Sequence, residues 1–273
     1  VRISQGETLG KKPLAQAERP YNLYLAPLAS EAQMYPAHKS VLLVLLFLSA
    51  ASLGVFMTSL DARPVLRSIT FHDDFSSGKL DAWQLPYSED WVIGSEGLLH
   101  FLHMLRNREP LVPRRPMQFA LLKGVSVGSF TLQARVRRAG GSMLMVFNYV
   151  DTLHFYYTHL SVDPGAKQPV HNGIFLVDGA PRRRIAGTEA APVLPDQNWH
   201  KVRVERQVSS GSIEVFVDDE PQPRFSVTDH TFTCGQVGLG SFDETGDFAD
   251  VHLTSSDADC PAQGVVLRPA STQ

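Results

Sequence analysis

The stretch SFTLQARVRR, Ser129 to Arg138, alternates strictly: Phe130, Leu132, Ala134 and Val136 fall on one face, Thr131, Gln133, Arg135 and Arg137 on the other. A period of two marks a β-strand with one buried face. The same alternation recurs on either side of it. HKVRVERQ sets Val202 and Val204 against Lys201, Arg203 and Glu205. SIEVFVDDEPQPRFSV sets Ile213, Val215 and Val217 on one face before a turn at Asp218 to Pro221, and VSSG joins these two runs as a hairpin. GIFLVDGAPRRRIAG reads as a second hairpin, turning at Asp178 and Gly179, where left-handed backbone costs least. From Ile69 onward no amphipathic helix of ordinary length interrupts the strands, and turns recur about every ten residues. The chain is expected to form an all-β, antiparallel two-sheet sandwich of the jelly-roll kind.

Its 273 residues suit one large sandwich, and a net charge of −3 removes the broad basic field that nonspecific nucleic-acid binding needs. Two cysteines, Cys234 and Cys260, cannot complete a four-thiolate zinc site, which leaves a disulfide or two free thiols. VLLVLLFLSAASLGVFMTSL, Val41 to Leu60, carries no charge, and as a helix it would span roughly 30 Å. Lys39 precedes it and small residues close it, the layout of a secretory signal, with LDA at Leu60 to Ala62 as the cleavage site. An uncleaved membrane anchor is the other outcome, and it would be the chain's one contact with a membrane. Met34 is the natural start, so residues 1–33 read as an extension outside the native protein or a disordered tail. The expected organisation is therefore 1–33, a signal or anchor over 34–62, a sandwich over 63–256 and a tail over 257–273. The sandwich is expected to be secreted, periplasmic or displayed at the cell surface, where oxidising conditions favour a Cys234–Cys260 disulfide.

The strands also come in a recognisable order. DDFSSGKLDAWQ, MVFNYVDTLHFYYTHLS, NWHKVRVERQVSSGSIEVFVDDEP and GQVGLGSFDETGDFADVHL resemble successive signature strands of the concanavalin A-like lectin/glucanase superfamily, from about Thr70 to Ser255. Within it the chain is most similar to laminin G-like domains and to the 3-keto-disaccharide hydrolases, the latter through HNGIFL at His171 to Leu176. The resemblance implies a module that binds an oligo- or polysaccharide; a glycoside-cleaving enzyme and a protein-interaction module are the alternatives it leaves. Family 16 glycoside hydrolases carry a Glu-x-Asp-x-Glu run on one strand, and no such run exists here. The acids of Asp218 to Glu220 and Asp243 to Glu244 lie in apparent turns, so no catalytic carboxyl pair can be named.

The resemblance further implies that the outward face of the sheet holding VFNYVDTLHFYYTHLS, Val146 to Ser161, is concave and binds sugar. With a turn near Val150 to Thr152, Phe147, Tyr149, Phe155 and Tyr157 are expected between the sheets, as the larger apolar set. Asn148, His154 and Tyr156 are then expected to floor a groove with Arg135, bordered by His171 and Asn172. The plainer reading is the polar face of any antiparallel sheet. His154 and His159 have opposite parity and cannot share a metal on a regular strand. In many modules of this fold acids on the first and last strands hold a structural Ca²⁺, which implies Asp73, Asp74 and Asp250 as ligands; Asx turns explain the first two equally well. No other cofactor is expected. Arg114 and Arg115, with Arg182, Arg183 and Arg184, are ordinary solvated charges unless both blocks border the groove, in which case they favour an acidic glycan.

Overall fold

The computed structural model describes residues 68–164, 170–187, 192–256 and Cys260. The expected extension and signal or anchor, and the tail apart from Cys260, lie outside these residues. In the first sheet the alternating runs become β6 (Phe130–Arg138), β11 (His200–Gln207) and β12 (Ser212–Val217). They are joined there by β1 (Ser68–Asp73), β3 (Trp91–Glu96), β4 (Leu99–Met104), β13 (Phe225–Thr228) and β15 (Gly246–Ser256). The order is β13-β12-β11-β6-β15-β4-β3, with β1 also paired to β15. The second sheet contains β2 (Trp83–Gln84), β5 (Gln118–Leu122), β7 (Ser142–Asp151), β8 (His154–Ser161), β9 (Gly173–Asp178), β10 (Arg183–Gly187) and β14 (Gln236–Ser241). Its order is β10-β9-β8-β7-β14-β5-β2. All the pairings are antiparallel, and the fold is the two-sheet jelly roll that the strand pattern and the concanavalin A-like resemblance imply.

Between the sheets, Leu132, Val136, Val202, Val204, Val215, Phe248 and Leu253 of the first meet Met143, Met145, Phe147, Tyr156, Leu160, Ile174 and Leu176 of the second. The two outer faces differ. Across the first sheet Thr70, Thr254, Thr131, Glu205, Glu214 and Ser226 are successive register partners, a row of polar side chains. Across the second, Phe119, Leu121, Leu144, Val146, Phe155, Tyr157, Phe175 and Val177 form a separate buried apolar cluster with Phe242. Burying a large side chain is worth about 1.5–3 kcal/mol, and this sheet buries such side chains on both faces.

The β7–β8 turn decides which residues lie on which face. It occupies only Thr152 and Leu153, since Asp151 pairs with His154. Asp151 Oδ1 accepts the Leu153 N–H at 2.7 Å and holds the turn. A turn one residue longer would pair Tyr149 with Leu153; the observed register sets Phe147 opposite Tyr156 instead. A one-residue change in register exchanges faces along a whole strand. Tyr156 therefore lies between the sheets, stacked on Phe147 with centroids 5.6 Å apart, while Phe155 and Tyr157 face outward. This reverses the expected assignment. A bulge adds to it: Asn148, Tyr149 and Val150 stand against Phe155 alone. Asn148 takes φ of 43°, and Tyr149 turns outward onto Phe119 and Phe155.

Cys234, just before β14, is bonded to Cys260, just after β15, with Cα atoms 5.3 Å apart and a sequence separation of 26. Closing a loop of that size removes denatured-state entropy worth about 3.5 kcal/mol in the chain-entropy model. The double variant Cys234→Ser/Cys260→Ser is expected to lose about that much stability in urea titrations against the oxidised protein.

Candidate functional site

The outward residues of β8 are Phe155, Tyr157 and His159, flanked by Phe175 and Val177 of β9 and by Leu144 and Val146 of β7. Tyr157 stacks on Phe175 at 5.1 Å, and His159 lies nearly parallel to Phe242 at 5.9 Å. Two connections bring cations to this aromatic surface. From the β9–β10 turn, Arg182 sets its guanidinium 4.1 Å from the Phe242 centroid and 4.9 Å from that of Phe175. Its Nη1 donates to Tyr157 Oη at 3.0 Å and lies 3.1 Å from His159 Nδ1. From the β4–β5 connection, Arg114 lies over the same Phe242 ring at 4.8 Å, and its carbonyl accepts the Arg182 N–H at 2.9 Å. Arg115 is turned to anchoring: buried, it donates through Nε to the Thr152 carbonyl at 2.6 Å and through Nη1 to that of Pro113 at 2.9 Å.

Arginine N–H groups only donate, so His159 Nδ1 accepts and the ring's proton sits on Nε2. That Nε2 is buried and has no hydrogen-bond partner. Burial, followed by the charges of Arg182, His171 and Arg114, holds the imidazole pKa well below its ordinary value. His159 is thus a neutral ring presenting one unused N–H donor. Its neighbour His171 lies 4.8 Å away, ring to ring, and is held by Asp163 Oδ2 at 2.8 Å from its Nδ1. Among the described residues Arg114 and Arg182 form no ion pair with a carboxylate. Arg114 is exposed and Arg182 and His171 are half-buried, so solvent reaches the cluster along this edge.

Of the residues expected to line a groove, His171 lies here and the others lie elsewhere. Arg135 is on β6, hence on the outer face of the first sheet, 5.4 Å from the Trp199 ring; consecutive strands β6 and β7 belong to different sheets. Tyr156 is internal: its hydroxyl donates to Asp229 and accepts the Phe232 N–H at 3.1 Å. Burial and the Asp229 hydrogen bond push its pKa up to about 12. His154 sits at the turn with its Nδ1 2.8 Å from Asp151 Oδ1. Asn148 and Asn172 are buried and structural: Asn148 Nδ2 donates to the Val127 carbonyl at 3.0 Å, and Asn172 Oδ1 accepts the Ser161 N–H at 2.7 Å. Tyr157, His159 and Phe242 were not anticipated. Unbroken apolar runs such as MLMVF, Met143 to Phe147, and IFLV, Ile174 to Val177, were the available sign that both faces of this sheet are buried.

The three acids expected to hold a metal do not converge. Asp73 accepts the Phe75 N–H at 2.8 Å and the Trp83 indole N–H at 2.8 Å. Asp74 accepts the backbone and hydroxyl of Ser76 at 3.0 and 2.6 Å. Asp250 instead sits between two histidines, His72 and His252.

No family model and no curated protein matches the sequence. Solved structures of similar shape include a carbohydrate binding module from Bacillus subtilis, at 16% identity and a TM-score of 0.46, covering 64% of this chain and 96% of that one. Winged bean acidic lectin, complexed with methyl-α-D-galactose, is 12% identical with a TM-score of 0.48, covering 70% and 99%. A family 16 endo-glucanase from Bacteroides ovatus is 13% identical with a TM-score of 0.42, covering 66% and 86%.

Two outcomes separate site from scaffold. Tyr156→Phe is expected to cost about 0.5–1.5 kcal/mol of stability by removing hydrogen bonds to the half-buried Asp229 and Phe232 N–H, read from chemical denaturation. For His159, an unfolded-chain imidazole takes up a proton near pH 6.5 while the buried ring does not. Stability should therefore be unaffected by this group above pH 6.5 and fall below it, approaching about 1.4 kcal/mol per pH unit until the folded pKa is passed. Urea titrations from about pH 7 to 5 should show a shallower decline in His159→Asn than in the wild type.

Proposed function

We propose that this chain is an exported carbohydrate-binding module that recognises an acidic oligosaccharide around Tyr157, His159 and Arg182 on the second sheet. The observation that carries this reading is the character of that face. A sandwich ordinarily turns a polar surface outward, as the first sheet does, yet here aromatic rings are overlaid by arginines that have no carboxylate partner among the described residues. Arg114 is exposed and Arg182 half-buried, and their planar forks match the carboxylate or sulfate of an acidic sugar; the rings of Tyr157, His159, Phe175 and Phe242 beneath them are buried and position those forks. The Cys234–Cys260 disulfide supports residence in an oxidising compartment.

The test is a glycan array containing uronate-bearing, sulfated and neutral oligosaccharides, followed by calorimetry on each sugar retained. Acidic sugars are expected to bind, and Arg182→Ala to weaken them at least tenfold, about 1.4 kcal/mol. Arg183→Ala, an exposed neighbour, should leave affinity unchanged. Retention of neutral sugars alone, or equal binding by Arg182→Ala, would refute the reading. Chain-length analysis of the bound sugar after incubation distinguishes binding from cleavage.

A further inference from the structure

On the outer face of the first sheet, remote in the fold from the Tyr157 cluster, β1 and β15 set His72 directly opposite His252. The imidazoles stack with centroids 4.1 Å apart and planes 14° apart. Asp250 completes the group: its Oδ1 lies 3.1 Å from His72 Nε2 and 2.9 Å from His252 Nε2. Asp250 has φ of 50° at a bulge in the β15–β6 ladder, between Ala249 and His252. Two positions apart on β15, Asp250 and His252 share a side, and one carboxylate oxygen reaches both Nε2 atoms. Among the described residues, this is the one group of three His, Cys, Asp or Glu side chains whose ligand atoms all lie within 4.8 Å of one another.

We propose that His72, Asp250 and His252 form a binding site for a divalent transition-metal ion, Zn²⁺ in the first instance, that clips β1 to β15. Two imidazole nitrogens and one carboxylate oxygen are the donor set of a borderline metal; Ca²⁺ takes oxygen donors and gains nothing from the rings. On binding, each ring turns its Nε2 lone pair to the ion and carries its proton on Nδ1, and water fills the remaining position. The side chains have the freedom to make that adjustment, being 48%, 44% and 44% exposed for His72, Asp250 and His252. Neighbouring charge does not oppose the ion. Asp74 lies near His72 and adds negative potential, while Arg203, further along the same row of the sheet, is paired with Glu205.

The experiment is Zn²⁺ titration of the whole, untagged chain at neutral pH against a chromophoric competitor chelator, with His72→Gln, His252→Gln and Asp74→Asn variants whose folding is verified by circular dichroism. The expected result is one high-affinity Zn²⁺ per chain, weakened at least tenfold in each histidine variant and by far less in Asp74→Asn, which removes nearby potential but no ligand atom. Zn²⁺ should also raise the Tm of the wild type and not of the histidine variants, whereas millimolar Ca²⁺ should neither displace it nor raise the Tm. Binding of Cu²⁺ at the same residues should show nitrogen hyperfine structure in its electron paramagnetic resonance spectrum. Absence of Zn²⁺ binding, a change of less than tenfold in the histidine variants, or displacement by Ca²⁺ would overturn the proposal.

Discussion

The pairing of Asp151 with His154 across a two-residue turn is the constraint on which the second sheet depends. Given that pairing and the Asn148–Val150 bulge beside it, Phe147 meets Tyr156, and every second residue of β8 is committed to a face. Tyr156 enters the interior and needs partners for its hydroxyl, which Asp229 and the Phe232 N–H provide. Phe155, Tyr157 and His159 are delivered together to the other face. No side chain in this hairpin has a free choice once the turn is closed. The turn is itself held by a local contact, from Asp151 to the Leu153 N–H.

The first sheet was legible from the sequence because its strands have one wet face and alternate accordingly; β6, β11 and β12 follow their pattern residue for residue. The second sheet was legible as strands but not as faces. In β8, Phe155, Tyr156 and Tyr157 are all fully buried, so apolar size cannot tell inside from outside. Turn length has to be known, and it differs from the expected value by a single residue. Arg135 was misplaced for another reason: alternation says which face of its own sheet a residue takes and nothing about which sheet a strand joins. The acids fared similarly. Asp73 and Asp74 are absorbed by their own turns, while Asp250 joins His252 on its own strand to His72, 178 positions away.

The candidate site combines two opposed demands. Aromatic burial drives out water, and low polarity makes each remaining charge costly. The guanidiniums of Arg182 and Arg114 are accommodated by lying over the π-face of Phe242, where the ring quadrupole attracts them. His159 responds in the only way open to it, by staying neutral. The result is a buried apolar layer with two arginines at its edge, whose guanidinium donors are held in fixed positions.

The position of the last strands bears on how the chain is made. The centre of each sheet is occupied by a late segment: β14 lies between β7 and β5, and β15 between β6 and β4. Ser68 pairs with Ser256, so the first strand waits for the last. Chains dominated by such distant pairings fold slowly, because loop closure must be completed before any contact is gained. A ribosome delivering this chain from its N-terminus releases β5 through β13 before either central strand exists. Neither sheet can close until nearly the whole sandwich has been synthesised, and the earlier strands must stay unpaired on those flanks for that interval.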